Sequence, residues 1–364
     1  MAAQTLRRLV GQIMIIGVEG TQLTPAERAW IKLLQPGGII LFRRNIEAIP
    51  QTRELLREAS AISGALAFRC VDVEGGLVDR LREVLAPVPS AAAVAATGSR
   101  ALYQRHGALI GREARALGFN TTFAPVLDLA LPASAELMRT RATSPDPARV
   151  IAYAEAFLTG LQSANTMGCG KHFPGLGAGT LDSHHATPSI PRTWDELWNE
   201  DLLPYRNLVR QLPIIMVSHA SYPAAAPDAL PASISKFWIT DILRKKIGYR
   251  GLILSDDLEM GGILNHSSIE DAAIAAILAG TDIIEICRSE ELILRAFEAL
   301  LTEAERSAAF RQRLAASSLR LTRAKRALPT PALRPPTPKS IETLRQQVRS
   351  FFASVEATSQ RGPA

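Results

Sequence analysis

Cysteine is scarce: Cys70, Cys169 and Cys287 are the only three in 364 residues, far apart and without a CxxC pair. That spacing excludes a disulfide framework and a cysteine-based zinc site, and each thiol sits in or beside an apolar run, as a reduced core cysteine does. Long hydrophobic runs are missing too. No stretch reaches the roughly 20 apolar residues that a spanning helix needs. Arg7 and Arg8 precede an apolar run over 9–18, but it is too short for a secretory leader and the following Glu19-Gly20-Thr21 offers no small-residue cleavage site. A cytoplasmic location with no membrane partner is expected. The formal charge of +6 is also less than it looks. Residues 301–350 hold eleven basic and three acidic side chains, 11 − 3 = +8, so the rest of the chain sums to +6 − 8 = −2. A body of that charge carries no basic groove, and a nucleic-acid partner is not expected. With 47% hydrophobic and 21% charged residues, the chain has the balance of a globular protein rather than a disordered one.

What is present is alternation. Short apolar, β-branched runs recur at 13–18, 38–42, 66–71, 122–127, 167–170, 214–217, 252–254 and 283–286. Between and after them lie amphipathic helical patterns at 24–34, 52–62, 100–117, 147–163, 193–209, 236–246, 269–278 and 290–301. Continuous apolar strands alternating with helices predict a parallel sheet covered on both faces. The count fits a (β/α)8 TIM-type barrel, with a doubly wound open sheet as the competitor. Polar side chains decide between them. Asp72, Asp128, Lys171-His172, His219, Asp256 and Arg288 each follow a run, and a barrel gathers such strand ends on one face. The segment 329–339 (PTPALRPPTPK) carries five prolines and cannot be helix or central strand. The expected division is therefore a catalytic barrel over 1–327 and, over 328–364, a Pro-rich linker with a short terminal helix patterned over 341–355. That appendage docks on the barrel or on a partner subunit; the sequence does not choose.

Three segments carry chemistry. The stretch 170–188, GKHFPGLGAGTLDSHHATP, leaves a strand, presents Lys171 and His172, and turns through glycines to Asp182 and His184. A phosphate cradle is a poor match, because Gly175, Gly177 and Gly179 miss the GxGxxG spacing and no apolar helix follows. An Asp-x-His pair brought to a pocket by a loop suits general acid/base work, the carboxylate fixing the imidazole tautomer. The stretch 252–260, LILSDDLEM, places Asp256 at a strand mouth, where a carboxylate can serve as base, ligand or nucleophile. Metal ligation is disfavoured by the cations Lys171 and Arg141 among the other candidates. Asp257 is expected to cap the following turn. CVDVEGGLVDRL supplies Asp72, a Gly75-Gly76 turn and Arg80, and MRTRATSPDP supplies Arg141; fixed donors and acceptors of this kind suit a polyhydroxylated ligand.

Together, GGIILFRRN (37–45), DVEGGLVDRL (72–81), FAPVLDL (123–129), RATSPDP (141–147), KHFPGLG with DSH (171–184) and SDDLEM (255–260) closely resemble the β-N-acetylglucosaminidase branch of glycoside hydrolase family 3. They stand in the family's order and cover nearly all of residues 10–290. The resemblance implies a retaining exo-β-N-acetylglucosaminidase that removes non-reducing terminal GlcNAc. It implies Asp256 as the nucleophile that forms a glycosyl-enzyme, and His184 as general acid/base with Asp182 as its partner. Asp72, Arg80, Arg141, Lys171 and His172 are implied as sugar-binding residues. No metal and no cofactor are implied. The expected partner is a small carbohydrate, a GlcNAc-containing muropeptide or disaccharide from peptidoglycan recycling, and the protein is expected to be a monomer or homodimer.

Leu176 stands where many members have His, and Leu77 where many have Arg, which puts the packing behind the site or the outer subsite in question, but not the reaction. An imidazole acid/base, unlike a carboxylate, does not repel an anionic acceptor, so some phosphorolysis is expected beside hydrolysis. The competing readings are a family 3 β-glycosidase or phosphorylase of broader sugar preference and a sugar-binding barrel without catalysis. Among neighbouring residues, His185 reads as solvated or loop-packing, and His219 as pocket floor or buried network. Asp128 reads as a support for loop backbone at the barrel rim. Glu285, inside the run 283–286, is unaccounted for, and the arginines over 306–326 read as the solvated face of terminal helices.

Overall fold

The structure, a computed structural model, describes residues 3–64, 67–181, 187–328 and 335–359. The apolar runs become eight strands: β1 Met14–Ile16, β2 Gly38–Leu41, β3 Phe68–Val71, β4 Thr121–Thr122, β5 Cys169–Phe173, β6 Ile214–Val217, β7 Leu252–Asp257 and β8 Ile283–Ile286. They pair in parallel in the order β4-β3-β2-β1-β8-β7-β6-β5. The two outer strands then meet: Met167 N donates to Asn120 O at 2.9 Å, Cys169 N to Ala124 O at 2.8 Å and Leu127 N to Lys171 O at 2.6 Å. With these bonds the sheet closes into a (β/α)8 barrel. The strand expected over 122–127 is reduced to Thr121–Thr122 because Pro125 has no N–H for the ladder, and pairing resumes only as a bridge at Val126–Lys171.

The surrounding helices begin where the sequence offers caps: α1 Ala3–Gln12, α2 Pro25–Leu34, α3 Ile49–Ser63, α4 Arg100–Leu117, α5 Pro147–Ser163, α6 Ile269–Ala279, α7 Glu290–Arg306, α8 Ala308–Ala327 and α9 Pro338–Ser359. At α2, Thr24 Oγ1 accepts from Glu27 N at 3.1 Å and the Glu27 carboxylate accepts from Thr24 N at 2.6 Å, a reciprocal cap ahead of Pro25. Ser99, Asp146, Ser268, Ser289 and Ser307 start α4 to α8 with the one-way cap, each side-chain oxygen accepting from a backbone N–H of the first turn. Two expected helices are wound more widely: 193–209 contains the π-helical segment Leu197–Asp201, and Phe237–Lys246 is π-helical throughout. Both lie beside an aromatic cluster in which Trp194 and Trp198 stack at 5.4 Å and Phe237 meets Trp238 edge-on at 5.1 Å.

At the foot of the barrel, immediately before β8, the fully buried Asp282 gathers cations. Its Oδ1 accepts from Arg313 at 3.0 Å, Arg320 at 2.9 Å and Ser317 at 3.2 Å, and its Oδ2 from Arg244 and, at 3.1 Å, from Ile253 N. Two of the arginines expected on a solvated face, Arg313 and Arg320, thus fasten α8 to the barrel. The terminal helix α9 is longer than its pattern and lies on the barrel, packed along α4 and the short helix Ala91–Ala96. No described helix is long and apolar enough to cross a membrane.

Candidate active site

The opposite end of the barrel, at the carboxyl ends of the strands, holds a cavity of about 220 Å³. Asp72, Arg80, Arg141, Lys171, His172 and Asp256 all line it, drawn from segments spread between positions 72 and 256. Asp72 leaves β3 and enters a hairpin, Val73–Gly75 with Val78–Asp79. Gly75 and Gly76 turn it with φ of 90° and 63°, and a Cβ on Gly75 would lie 2.2 Å from Pro89 O, so only glycine fits. Lys171 and His172 come from β5, Asp256 from β7, and Arg141 from the loop beyond β4.

The charges are interleaved. Lys171 Nζ lies 2.9 Å from Asp72 Oδ1 and 2.7 Å from Glu74 Oε1. Arg141 grips Glu74 with both arms of its fork, Nε at 2.8 Å and Nη2 at 2.9 Å. Burial alone would discharge this cluster. For Lys171, however, Asp72 and Glu74 more than offset burial and raise its pKa, while Arg141 and Lys171 hold Glu74 far below the usual carboxylate range against its own burial. Arg80 completes the wall, and its buried Nε has no hydrogen-bond partner among the described residues.

His172 is locked from behind. Its Nδ1 lies 2.7 Å from Asp128 Oδ2, which also accepts its backbone N–H at 3.2 Å, and Asp128 Oδ1 accepts from Leu176 N at 2.7 Å. Asp128 therefore stands under the rim, orienting an imidazole and the start of the glycine loop. Asp256 is opposed by burial, yet His172, His219, the Asp257 N–H at 2.9 Å and Lys171 bring its pKa below the ordinary value. A carboxylate kept ionised beside a cavity of this size can attack an electrophilic carbon held there.

Sequence reading missed Glu74, Glu285 and Cys287 as lining residues, and the cavity side of Asp257. Glu74 is paired with Lys171 and Arg141, and strand alternation from Asp72 would have pointed to it. Glu285 projects into the cavity from β8, where burial, with Asp257, Asp72 and Asp256 nearby, pushes its carboxyl well up. Cys287 lines the cavity as well, donating to Glu285 Oε1 at 3.2 Å, so it is more than core filling. Asp257 does hold a turn, accepting from Glu259 N at 3.0 Å and Cys287 N at 3.2 Å, and it also borders the cavity with a pKa raised to about 7 by burial and Glu259.

Two expected strand-end residues are placed elsewhere. Arg288 lies outside the cavity, exposed and 3.9 Å from Glu19, because β8 has already ended at Ile286. His219 also lies behind the wall, between Ser233 Oγ at 2.7 Å and Asp257 O at 2.9 Å, which makes it part of a buried network. Asp182, His184 and His185 fall outside the described residues. Among the described residues, no group of three or more His, Cys, Asp or Glu is arranged to hold a metal.

A (β/α)8 barrel whose strand ends converge on a small charged cavity defines a class of enzyme built to hold a polar small molecule. The family described as "Glycosyl hydrolase family 3 N terminal domain" matches residues 5–324. The chain is 35% identical over 302 residues to the β-hexosaminidase of Idiomarina loihiensis, covering 82% of this chain and 90% of that protein. A glycoside hydrolase family 3 β-N-acetylglucosaminidase from Paenibacillus sp. superposes with a TM-score of 0.86 at 30% identity, covering 95% of this chain and 68% of that one. NagZ from Neisseria gonorrhoeae superposes with a TM-score of 0.76 at 29% identity, covering 95% and 97% of the two chains. The chain belongs to glycoside hydrolase family 3, and the likeness to its β-N-acetylglucosaminidase branch seen in the motifs is borne out.

Proposed function

We propose that this glycoside hydrolase is a retaining exo-β-N-acetylglucosaminidase, a β-N-acetylhexosaminidase that removes terminal GlcNAc from small fragments such as those of peptidoglycan turnover. The observation that carries the reading is the joint lining of one monosaccharide-sized cavity by an ionised Asp256 and the Asp72–Lys171–Glu74–Arg141 cluster. Fixed charges whose partners are only partly used suit ring hydroxyls, which both donate and accept.

In this reading Asp256 attacks the anomeric carbon as the glycosidic bond breaks, and His184 gives its proton to the leaving oxygen. Water then attacks the glycosyl ester, its proton goes to His184, and Asp256 leaves as a carboxylate. Asp182 would orient the imidazole. Arg80 and His172 would bind the sugar alongside the ion cluster, with no cofactor required. Residues 1–327 form the catalytic unit and 328–364 its appendage. The free thiols Cys70, Cys169 and Cys287 suit a reducing cytoplasm.

Assay on p-nitrophenyl β-GlcNAc beside the β-glucoside tests the reading. Turnover of the first well above the second is expected, and the opposite preference or no turnover overturns it. Asp256→Ala should lower kcat by about 10⁴-fold or more and His184→Ala by about 10²–10⁴-fold. Full activity in both variants would refute the assignment. In phosphate buffer, NMR should show some sugar-1-phosphate among the products, and its absence removes the phosphorolytic branch.

A further inference from the structure

Helix α9 lies beyond residue 324, where the family match ends, yet it is firmly seated. Ile341, Leu344, Val348, Phe351 and Val355 recur at helical spacing and are all buried. Two of its contacts go further than packing. Phe351 stacks on His106 of α4 with ring centroids 5.7 Å apart and planes at 24°. Arg345 Nη2 donates to Val84 O at 2.9 Å.

Both contacts lead to the segment that carries Asp72, Glu74 and Arg80 of the cavity. His106 is fully buried, its Nδ1 2.8 Å from the Tyr153 hydroxyl, and its Nε2 backs on Gly75: a Cβ there would come within 3.0 Å of that nitrogen. Burial brings its pKa down to about 3, so the ring is a neutral plate between Phe351 and the glycine turn. Gly75 directly follows Glu74, and Val84 belongs to the same segment, just beyond Arg80. That segment is closed on itself: Asp79 accepts from Leu81 N at 3.0 Å and Val88 N at 3.2 Å, and Gly76 N donates to Val88 O at 2.9 Å. Residues 72–88 therefore form one strap, with the cavity on one side and α9 behind it.

We propose that α9 positions the Asp72–Glu74–Arg80 strap for sugar binding, Phe351 acting through His106 and Arg345 acting through Val84. Neither residue touches substrate; both are positioning residues. The inference rests on the assignment of that strap to sugar binding.

The test uses the full chain with Phe351→Ala, Phe351→Leu and Arg345→Ala. The control is Phe352→Ala, the 38% exposed neighbour on the same helix. Hydrolysis of p-nitrophenyl β-GlcNAc is measured at a temperature where circular dichroism shows each variant folded. Phe351→Ala should raise KM about 10-fold and Arg345→Ala about 3-fold, with kcat within about 2-fold, because small displacements of binding groups act on affinity first. Phe351→Leu and the control should stay within about 2-fold. Unchanged KM in both Phe351→Ala and Arg345→Ala overturns the proposal; should Phe351→Ala fail to fold, Arg345→Ala decides. If the wild type hydrolyses no β-GlcNAc, the sugar assignment has failed, and amide exchange then decides the mechanical link. Faster exchange over 72–88 in Arg345→Ala, with β7 unaffected, supports the link, and unchanged exchange over 72–88 refutes it.

Discussion

The barrel carries a buried ion cluster at each end, and the two are built oppositely. At the foot, Asp282 stands alone among Arg244, Arg313 and Arg320, and both of its oxygens are occupied, with Ser317 and a backbone amide adding to the guanidiniums. At the mouth, Asp72 and Glu74 face Lys171 and Arg141 in even numbers, with the Asp72 side chain 14% and the Arg141 side chain 21% exposed to the cavity. The foot carboxylate is shut off from solvent with both oxygens taken, so no ligand reaches it, whereas the mouth cluster opens part of its charge to the cavity, where hydroxyl groups can meet it. Access from the cavity, more than completeness of hydrogen bonding, separates the site from the fastening, since Arg244 Nε and Arg313 Nη1 at the foot are themselves buried without a hydrogen-bond partner among the described residues.

The comparison breaks most visibly at the foot. Asp282→Ala leaves three guanidiniums without their shared acceptor and should cost about 3–5 kcal/mol of stability by calorimetry, with KM of the folded enzyme unmoved. A changed KM there would mean that the two ends are not independent. At the mouth, Glu74→Gln should lower kcat/KM about 10²-fold while costing less stability than the foot variant, since Arg141 and Lys171 remain near Asp72. A loss confined to the melting temperature would make this cluster structural as well. A pH series sharpens the contrast. The Asp257 pKa is raised to about 7 in the folded protein, above the unfolded value near 4, so its stabilising contribution is full below about pH 4 and lost as pH rises through about 7. The melting temperature of Asp257→Asn relative to wild type should therefore climb from pH 4 to pH 7, and a flat difference contradicts the raised value. Glu74 has the opposite sign, and its contribution is lost as pH falls below the usual carboxylate range. The smallest effect is expected at Leu176, whose apolar side chain lines the cavity: Leu176→His should shift KM by about 3-fold or less, more for changes in the leaving group than in the sugar.

Much of this was legible because parallel barrel strands are buried on both faces and so read as unbroken apolar runs; 214–217 and 283–286 coincide with β6 and β8. The decorated strand ends were legible for the same reason. Arg288 misled because it follows an apolar run in sequence but stands past the end of its strand, where the chain has already turned outward. Glu285 was opaque for the opposite reason: inside a strand, direction is set by the pleat, and whether an inward carboxyl meets packed core or open cavity depends on the other strands. The docking of α9 was equally hidden. An amphipathic stripe states that something covers it, and only the fold supplies α4 as the cover.

The aromatic cluster around Phe237 also determines how the protein will look to a fluorimeter. The chain has four tryptophans, and Trp194, Trp198 and Trp238 share that one corner while Trp30 sits on α2. Indole emission will follow the melting of that corner, and none of it originates on α9. Detachment of the terminal helix would leave the optical signal nearly still, so an apparently intact emission spectrum is compatible with a strap that has already lost its backing.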